Sequence, residues 1–364
     1  MRVTPQEPVR HARSSTPAVA LVAVVMLLGI IGGFWLSRKG HAPVATTVAS
    51  TPGVLATPSP MALPGAQHAS LSAPSTNVVW ILVADRYLYR STDRSATWQQ
   101  RPLPPSSWPS PGAEISFVSD HEGWLKTGET PPTYPYCSAE RIAIWHTIDA
   151  GSTWQQLVKQ GSLAIPATSS SPYGIQGLRC KQRLSFADSN VGVLGTDDPN
   201  RAPIIYRTAD GGQNWTPSDT LPDPPGFREA GGFTMRIGSI RSFGSTFVLT
   251  ASDMVSVEYV FQSTDRGATW KYVSGNSETP LTTLVTPSTW IRLYPGDRQS
   301  AESFDAGNTW NIVSSDYPGS DYPGPVFADS LVGYANVGAG LLKTADGGFH
   351  WVPIVTPWTA KSTP

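Results

Sequence analysis

Charge is scarce in this chain of 364 residues: Asp, Glu, Lys and Arg together make 15% of it. Neither sign dominates, with 26 Lys and Arg against 27 Asp and Glu and a net charge of -1. A chain so balanced carries no basic stripe to displace counterions from a phosphate backbone, which argues against a nucleic-acid partner. Signatures of common catalytic mechanisms are missing too. There is no Gly-x-Ser-x-Gly, no His-Glu-x-x-His and no phosphate-binding loop sequence. The six His are scattered, none paired at metal-ligand spacing. Cysteine is limited to Cys137 and Cys180. What the chain does have is turn formers and aromatics: 33 Gly, 34 Pro and 13 Trp. Low charge with many turn residues suits an all-β, loop-rich domain.

The N-terminal part stands apart. Residues 17–36 (Pro17 to Leu36) form a run of about 20 residues without a charge, long enough to cross a bilayer as a helix. Arg2, Arg10 and Arg13 precede it; Arg38 and Lys39 come after it. The slight positive excess before the run predicts a cytoplasmic tail (1–16) and export of the chain beyond residue 36. A cleaved signal peptide is the alternative, but the run exceeds a usual signal core and no strong small-x-small site comes directly after it. Residues 37–67 are mostly Pro, Ala, Thr, Ser, Val and Gly, and predict a flexible tether. The folded region is expected at 68–358, with 359–364 as a tail.

Within 68–358 one phrase recurs six times: Ser/Thr-x-Asp-x-Gly-x-Thr-Trp, with small deviations. Its acidic members are Asp93, Asp149, Asp210, Asp265, Asp305 and Asp346; its closing members are Trp98, Trp154, Trp215, Trp270, Trp310 and Trp351. Successive Asp residues lie from 40 (Asp265 to Asp305) to 61 (Asp149 to Asp210) positions apart. That period suits an array of supersecondary units. Short polar residues and Gly make the phrase a hairpin turn, between Ile142–His146 and Trp154–Val158 for example. A second pattern lies upstream: Ile115-Ser-Phe117, Leu184-Ser-Phe186-Ala-Asp188 and Val326-Phe327-Ala-Asp329, each with a Gly a few residues on (Gly123, Gly192, Gly333). It predicts two further strands per unit. Four antiparallel strands, A to D, with the Asp-phrase at the C–D turn, make a propeller blade. Six phrases predict six blades; a seventh lacking the phrase is the alternative, though no spare four-strand stretch is visible.

The phrase resembles the Asp-box, or bacterial neuraminidase repeat. With the upstream Phe-x-Asp-x-x-x-Gly pattern it is similar to the repeats of photosystem II assembly and stability factors, and more distantly to the sialidase superfamily. The resemblance covers about residues 70 to 355. It implies a β-propeller, serving as a binding scaffold in the first case and as a glycosidase in the second. Ser95 replaces Gly in the first copy, Asn214 and His350 replace Thr in the third and sixth, and weaker turns are expected there.

The Asp-phrase residues are structural candidates, so the site is expected elsewhere. B–C loops and D–A connections share the face opposite the Asp-phrases. Both cysteines fall on that face at adjacent blades, and with export they predict a Cys137–Cys180 disulfide. Its long loops carry Tyr134, Tyr136, Tyr173 and Arg228, residue types suited to recognition, although solvated loop tips are the alternative. Asp316 and Asp321 lack a tight ligand spacing, so no metal and no cofactor is assigned. A sialidase would need an Arg cluster for its substrate's carboxylate, a Tyr nucleophile and a carboxylate acid. Inner strands offer only weak candidates, Arg183, Arg236 and Arg292, and the Phe-Arg-Ile/Leu-Pro element expected ahead of the first Asp-box is missing. The expectation is a monomeric, membrane-anchored, extracytoplasmic propeller that binds a protein or glycan. A sialidase-like hydrolase is the alternative, and a photosystem assembly role a further one if the host is photosynthetic.

Overall fold

The structure, a computed structural model, describes residues 68–105, 112–129, 141–160, 173–175, 180–197, 201–228, 231, 234–253, 257–276, 282–294, 297–319, 324–338 and 340–358. Among these no helix is long and apolar enough to cross a membrane. The expected tail, anchor and tether (1–67) and the C-terminal tail (359–364) lie outside the described residues.

The described residues form 24 strands in six four-stranded antiparallel sheets. Blade 1 contains β1 (Ala69–Ser72), β2 (Val79–Val83), β3 (Tyr87–Ser91) and β4 (Gln99–Arg101). Blade 2 contains β5 (Glu114–Phe117), β6 (Gly123–Glu129), β7 (Arg141–Thr147) and β8 (Gln155–Gln160). Blade 3 contains β9 (Cys180–Phe186), β10 (Gly192–Asp197), β11 (Ile205–Thr208) and β12 (Thr216–Pro217). Blade 4 contains β13 (Arg236–Phe243), β14 (Thr246–Ser252), β15 (Glu258–Ser263) and β16 (Lys271–Asn276). Blade 5 contains β17 (Thr282–Leu284), β18 (Trp290–Tyr294), β19 (Gln299–Ser303) and β20 (Asn311–Ser314). Blade 6 contains β21 (Val326–Phe327), β22 (Gly333–Val337), β23 (Gly340–Thr344) and β24 (Val352–Ile354). The protein is a six-bladed β-propeller.

Its core is divided among the six blade interfaces, one hydrophobic cluster to each. Strand B shows why. In β2, Val79, Ile81 and Val83 pack toward blade 6 while Trp80 and Leu82 pack toward blade 2. A strand covered on both faces loses its polar alternation, hence the unbroken Val-Trp-Ile-Leu-Val run.

The two sequence patterns meet in one side-chain assembly. Phe117, Phe186 and Phe327 pair across the A–B hairpin with Gly123, Gly192 and Gly333. Each ring lies over its glycine: a Cβ on Gly123 would stand 2.2 Å from the Phe117 ring. The Asp-phrase Trp of the same blade meets that ring edge-on, at 6.4 Å for Trp154–Phe117, 6.0 Å for Trp215–Phe186 and 6.1 Å for Trp351–Phe327. In blade 2 the turn acceptor is Ser119, which takes the His121 and Glu122 amides on its Oγ. Asp188 plays that part in blade 3. Asp120 instead pairs with Arg90 of blade 1 at 3.2 Å.

The Asp-phrase fills the C–D turn of every blade, and strand D begins one residue after its Trp. In blade 2 the Thr147 hydroxyl donates to Asp149 Oδ1 (2.9 Å) and accepts the Gly151 amide (3.0 Å). Asp149 then accepts the Thr153 amide at 2.8 Å and its hydroxyl at 2.6 Å. The deviant copies keep this network: Asn214 Nδ2 donates to Asp210 at 2.7 Å, and His350 Nδ1 meets Asp346 at 2.6 Å. Ser95 adopts the left-handed conformation (φ 71°) that Gly takes elsewhere.

The turns of blades 2, 4 and 6 also receive the chain leaving the preceding blade. Arg101 Nε donates to the Ala150 carbonyl (2.5 Å), and Trp154 Nε1 donates to the Pro102 carbonyl (2.9 Å). Ser218 Oγ donates to the Gly267 carbonyl, and Ser315 Oγ to the Gly348 carbonyl. Among the described residues no strand is exchanged between the first and last blades. The ring closes through side chains: Trp358 packs on Tyr89 and Trp98, and Lys343 Nζ donates to the Arg94 carbonyl.

Candidate functional site

The A strands line a central channel and are stitched edge to edge by side chains. The Ile115 and Phe117 amides of blade 2 donate to the hydroxyls of Ser70 and Ser72 in blade 1. The Leu184 and Phe186 amides of blade 3 donate to Glu114 and Ser116 in blade 2. These bonds fix the inner strands of blades 1, 2 and 3 against one another.

At the B–C and D–A end the walls become charged. Glu114 is buried; its Oε1 accepts from Arg183 Nη1 at 3.0 Å and its Oε2 from the Leu184 amide at 2.8 Å. Burial opposes its ionisation, but the charges of Lys126 and Arg183 prevail and hold the carboxyl below its ordinary range. Lys126, also buried, donates from Nζ to the Lys181 carbonyl at 2.7 Å. Glu258 accepts the Thr282 amide of blade 5 at 2.8 Å. Its pKa is raised, because burial outweighs the Thr282 hydrogen bonds and the charge of Arg292.

Between blades 3 and 4 this end opens into a cavity of about 250 Å³ whose charged walls are Arg183, Asp197, Arg236 and Glu258. Backbone irregularities shape it on both sides. In β9 the pairing with β10 skips Arg183, which stands as the extra residue of a bulge with φ 62°. In β13 the pairing with β14 skips Gly238, where a Cβ would stand 2.6 Å from Thr250 Oγ1. Bulges re-aim side chains and collect beside functional sites, and a non-glycine residue in the left-handed region is uncommon. Two arginines facing two carboxylates can bind a carboxylate bidentately and hydrogen-bond neighbouring hydroxyls.

Two of the three arginines expected from sequence, Arg183 and Arg236, therefore share one cavity. Arg292 does not line it; it lies 3.7 Å over the Trp310 ring and reaches Thr282 Oγ1 at 3.5 Å. Among the described residues no Tyr lines the cavity. Tyr259 donates to Asp253 Oδ2 at 3.1 Å, yet burial, reinforced by that carboxylate, pushes its hydroxyl up to about 12, away from a nucleophile's range. Arg228 is exposed and chelated by Asp223 at 2.7 and 2.9 Å on the outer part of the same face. Tyr173 is half-buried, and its carbonyl accepts the Trp215 amide at 2.8 Å, which ties it to an Asp-phrase instead of the open face. Asp316 is likewise structural, accepting the Trp351 amide at 2.7 Å. Among the described residues no cluster of His, Cys, Asp and Glu suits a metal.

Tyr134, Tyr136, Cys137 and Asp321 lie outside the described residues. Cys180 is buried at the start of β9, and there is no free thiol among the described residues. Asp197 and Glu258 carry no sequence signal; each is one acidic residue beside a strand end, with no motif around it.

No family model matches the chain, and no curated protein matches it. Solved structures resemble the chain only distantly. YCF48 bound to D1 peptide is 17% identical with a TM-score of 0.46, over 81% of this chain and 84% of that one. A GH93 α-L-arabinofuranosidase of Fusarium graminearum is 10% identical with a TM-score of 0.49, over 79% and 93%. A GH74 xyloglucanase from Xanthomonas campestris is 13% identical with a TM-score of 0.41, over 78% of this chain and 46% of that one. The chain thus spans about half of that enzyme. No single family stands out among these distant likenesses.

Proposed function

We propose that this protein is a membrane-anchored, extracytoplasmic propeller that binds a partner through its B–C and D–A face. The Arg183–Arg236 cavity receives a carboxylate of that partner. The observation that carries this reading is the pair of bulged A strands that bring Arg183 and Arg236 to one cavity, where Asp197 of β10 and Glu258 of β15 join them. Guanidinium matches a carboxylate's geometry, and Asp197 and Glu258 would accept from neighbouring hydroxyls or amides. Carboxylates occur on acidic peptides and acidic glycans alike. The test is therefore a titration of the full-length chain in detergent with a tetraglutamate peptide and with a hexuronate oligosaccharide. Saturable binding of one of them, weakened tenfold or more by Arg236→Ala, is expected. Failure of both to saturate, or equal binding by the variant, would overturn the reading.

The sialidase alternative has its own readout: turnover of a fluorogenic sialoside that disappears in Arg236→Ala would make the protein an enzyme. A photosystem assembly role stays with host identity. Anchoring through residues 17–36 predicts that the chain resists carbonate extraction from membranes. A Cys137–Cys180 bridge would fasten the loops of blades 2 and 3 beside the cavity, and a non-reducing peptide map recovering both thiols free would exclude it.

A further inference from the structure

We propose that the central channel is itself a binding site for a small organic monocarboxylate, held by the guanidinium of Arg241. Two cavities of about 250 and 140 Å³ lie in series along the channel. Leu71, Ile115, Leu184, Ile240, Arg241 and Val326 line both, so they form the waist between them. Among the described residues that line the larger cavity, on the Asp-phrase side, Arg241 is the only charged one.

The partners of this cation are few. From β13 of blade 4 its Nη2 reaches across the channel to the Phe327 carbonyl of blade 6, at 2.7 Å. The Phe243 ring stands 6.0 Å away. Among the described residues no carboxylate is paired with it; Glu114, at the other end of the smaller cavity, is occupied by Arg183 and the Leu184 amide. The residue is half-buried, with protein surrounding it. That surrounding lowers its pKa to about 10, the mark of a cation taken from bulk water without a compensating anion. A guanidinium has five N–H donors in a planar fork, and one carbonyl engages only part of it.

The chemistry of the walls selects the anion. Five of the six waist residues are aliphatic, which suits a short hydrocarbon chain next to the anionic group. A carboxylate fits the fork bidentately, and its tail gains by leaving water for these aliphatic walls. Halide or phosphate would supply the charge without the tail. The outer cavity between blades 3 and 4 shares Arg183 and Gly238 with the smaller channel cavity, but its walls include neither Arg241 nor any of the waist aliphatics.

The test is a titration of the full-length chain with carboxyl-labelled propionate, monitored by carbon NMR at constant ionic strength, with acetate, chloride and inorganic phosphate in parallel. Saturable propionate binding is expected, tighter than acetate and at least tenfold weaker in Arg241→Met. Arg236→Ala should leave the propionate isotherm within twofold, which separates this site from the outer one. Should Arg241→Met not fold, Arg241→Lys keeps the charge but not the fork and is expected to weaken propionate severalfold. Absence of saturation, unchanged affinity in the Arg241 variant that folds, loss of binding in Arg236→Ala, or phosphate binding as tightly as propionate would each overturn the proposal.

Discussion

The indole of Trp124 in blade 2 lies flat on the ring of Phe186 in blade 3, with centroids 3.7 Å apart and planes 2° from parallel. Trp80 of blade 1 meets Phe117 of blade 2 in the same way, at 3.7 Å and 5°. Both tryptophans come from strand B, and both phenylalanines end strand A of the next blade. The contact therefore joins adjacent blades, while the Asp-phrase Trp closes on the same ring within its own blade. Substituting Phe186→Ala should cost about 3–5 kcal/mol, the usual range for a buried aromatic. A double-mutant cycle of Trp124→Leu with Phe186→Leu should give a coupling of about 0.5–1.5 kcal/mol in urea unfolding. Strict additivity would mean that the stack adds nothing beyond burial.

The glycine under each ring is a requirement of packing more than of backbone conformation. A Cβ at position 123 would overlap the Phe117 ring, so Gly123→Ala should destabilise by about 1–3 kcal/mol, as overpacked sites do. Shortening the ring should restore space. In the Phe117→Leu background the same Gly123→Ala change is expected to cost less than half as much. An equal penalty in both backgrounds would place the cause in the backbone.

Much of the propeller is legible in the sequence because its determinants are local. The Asp-phrase network lies within the seven residues from Thr147 to Thr153, and Phe117 and Gly123 sit in one hairpin. Blade count and strand order arise from such short segments. The site is legible only in part. Arg183 and Arg236 stand out as cations on inner strands, but their convergence depends on bulges at Arg183 and Gly238. A one-residue shift in pairing leaves no periodicity to detect. Asp197 and Glu258 come from strand ends in different blades, so no spacing announces them. Tyr173 reads as part of the open face because its neighbours in sequence look loop-like; its carbonyl bond to the Trp215 amide joins it to an Asp-phrase far along the chain.

Acid should loosen the C–D turns together. Asp93 and Asp149 are held at about 2, chiefly by the hydroxyls of Thr97 and Thr153. Asp265 reaches about 2 as well, where burial opposes the charge but the Thr269 and Ser263 hydrogen bonds prevail. A carboxylate with a depressed folded pKa contributes stability that is present above its unfolded value, near 3.8, and lost as pH falls toward 2. The urea midpoint should thus be flat from about pH 5 to 7 and fall between about pH 4 and pH 2. Asp149→Asn, which cannot titrate, should show a shallower fall from a lower starting point. A slope identical to that of the unmodified chain would assign the acid sensitivity to other groups.

Ring closure rests on Trp358, which lies 4.9 Å from Tyr89 and 5.8 Å from Trp98. No shared strand reinforces this junction among the described residues. The interface between blades 6 and 1 therefore depends on its hydrophobic cluster and on the Lys343–Arg94 bond. Trp358→Ala removes a buried aromatic from that cluster and should cost about 3–5 kcal/mol. The loss should also be uneven, because local opening begins at the weakest contacts. Hydrogen exchange by mass spectrometry should show faster exchange in β1–β3 and β22–β24 than in blades 3 and 4. If exchange rose equally in all six blades, closure at this junction would be no weaker than the other interfaces, and the ring would open as one cooperative unit.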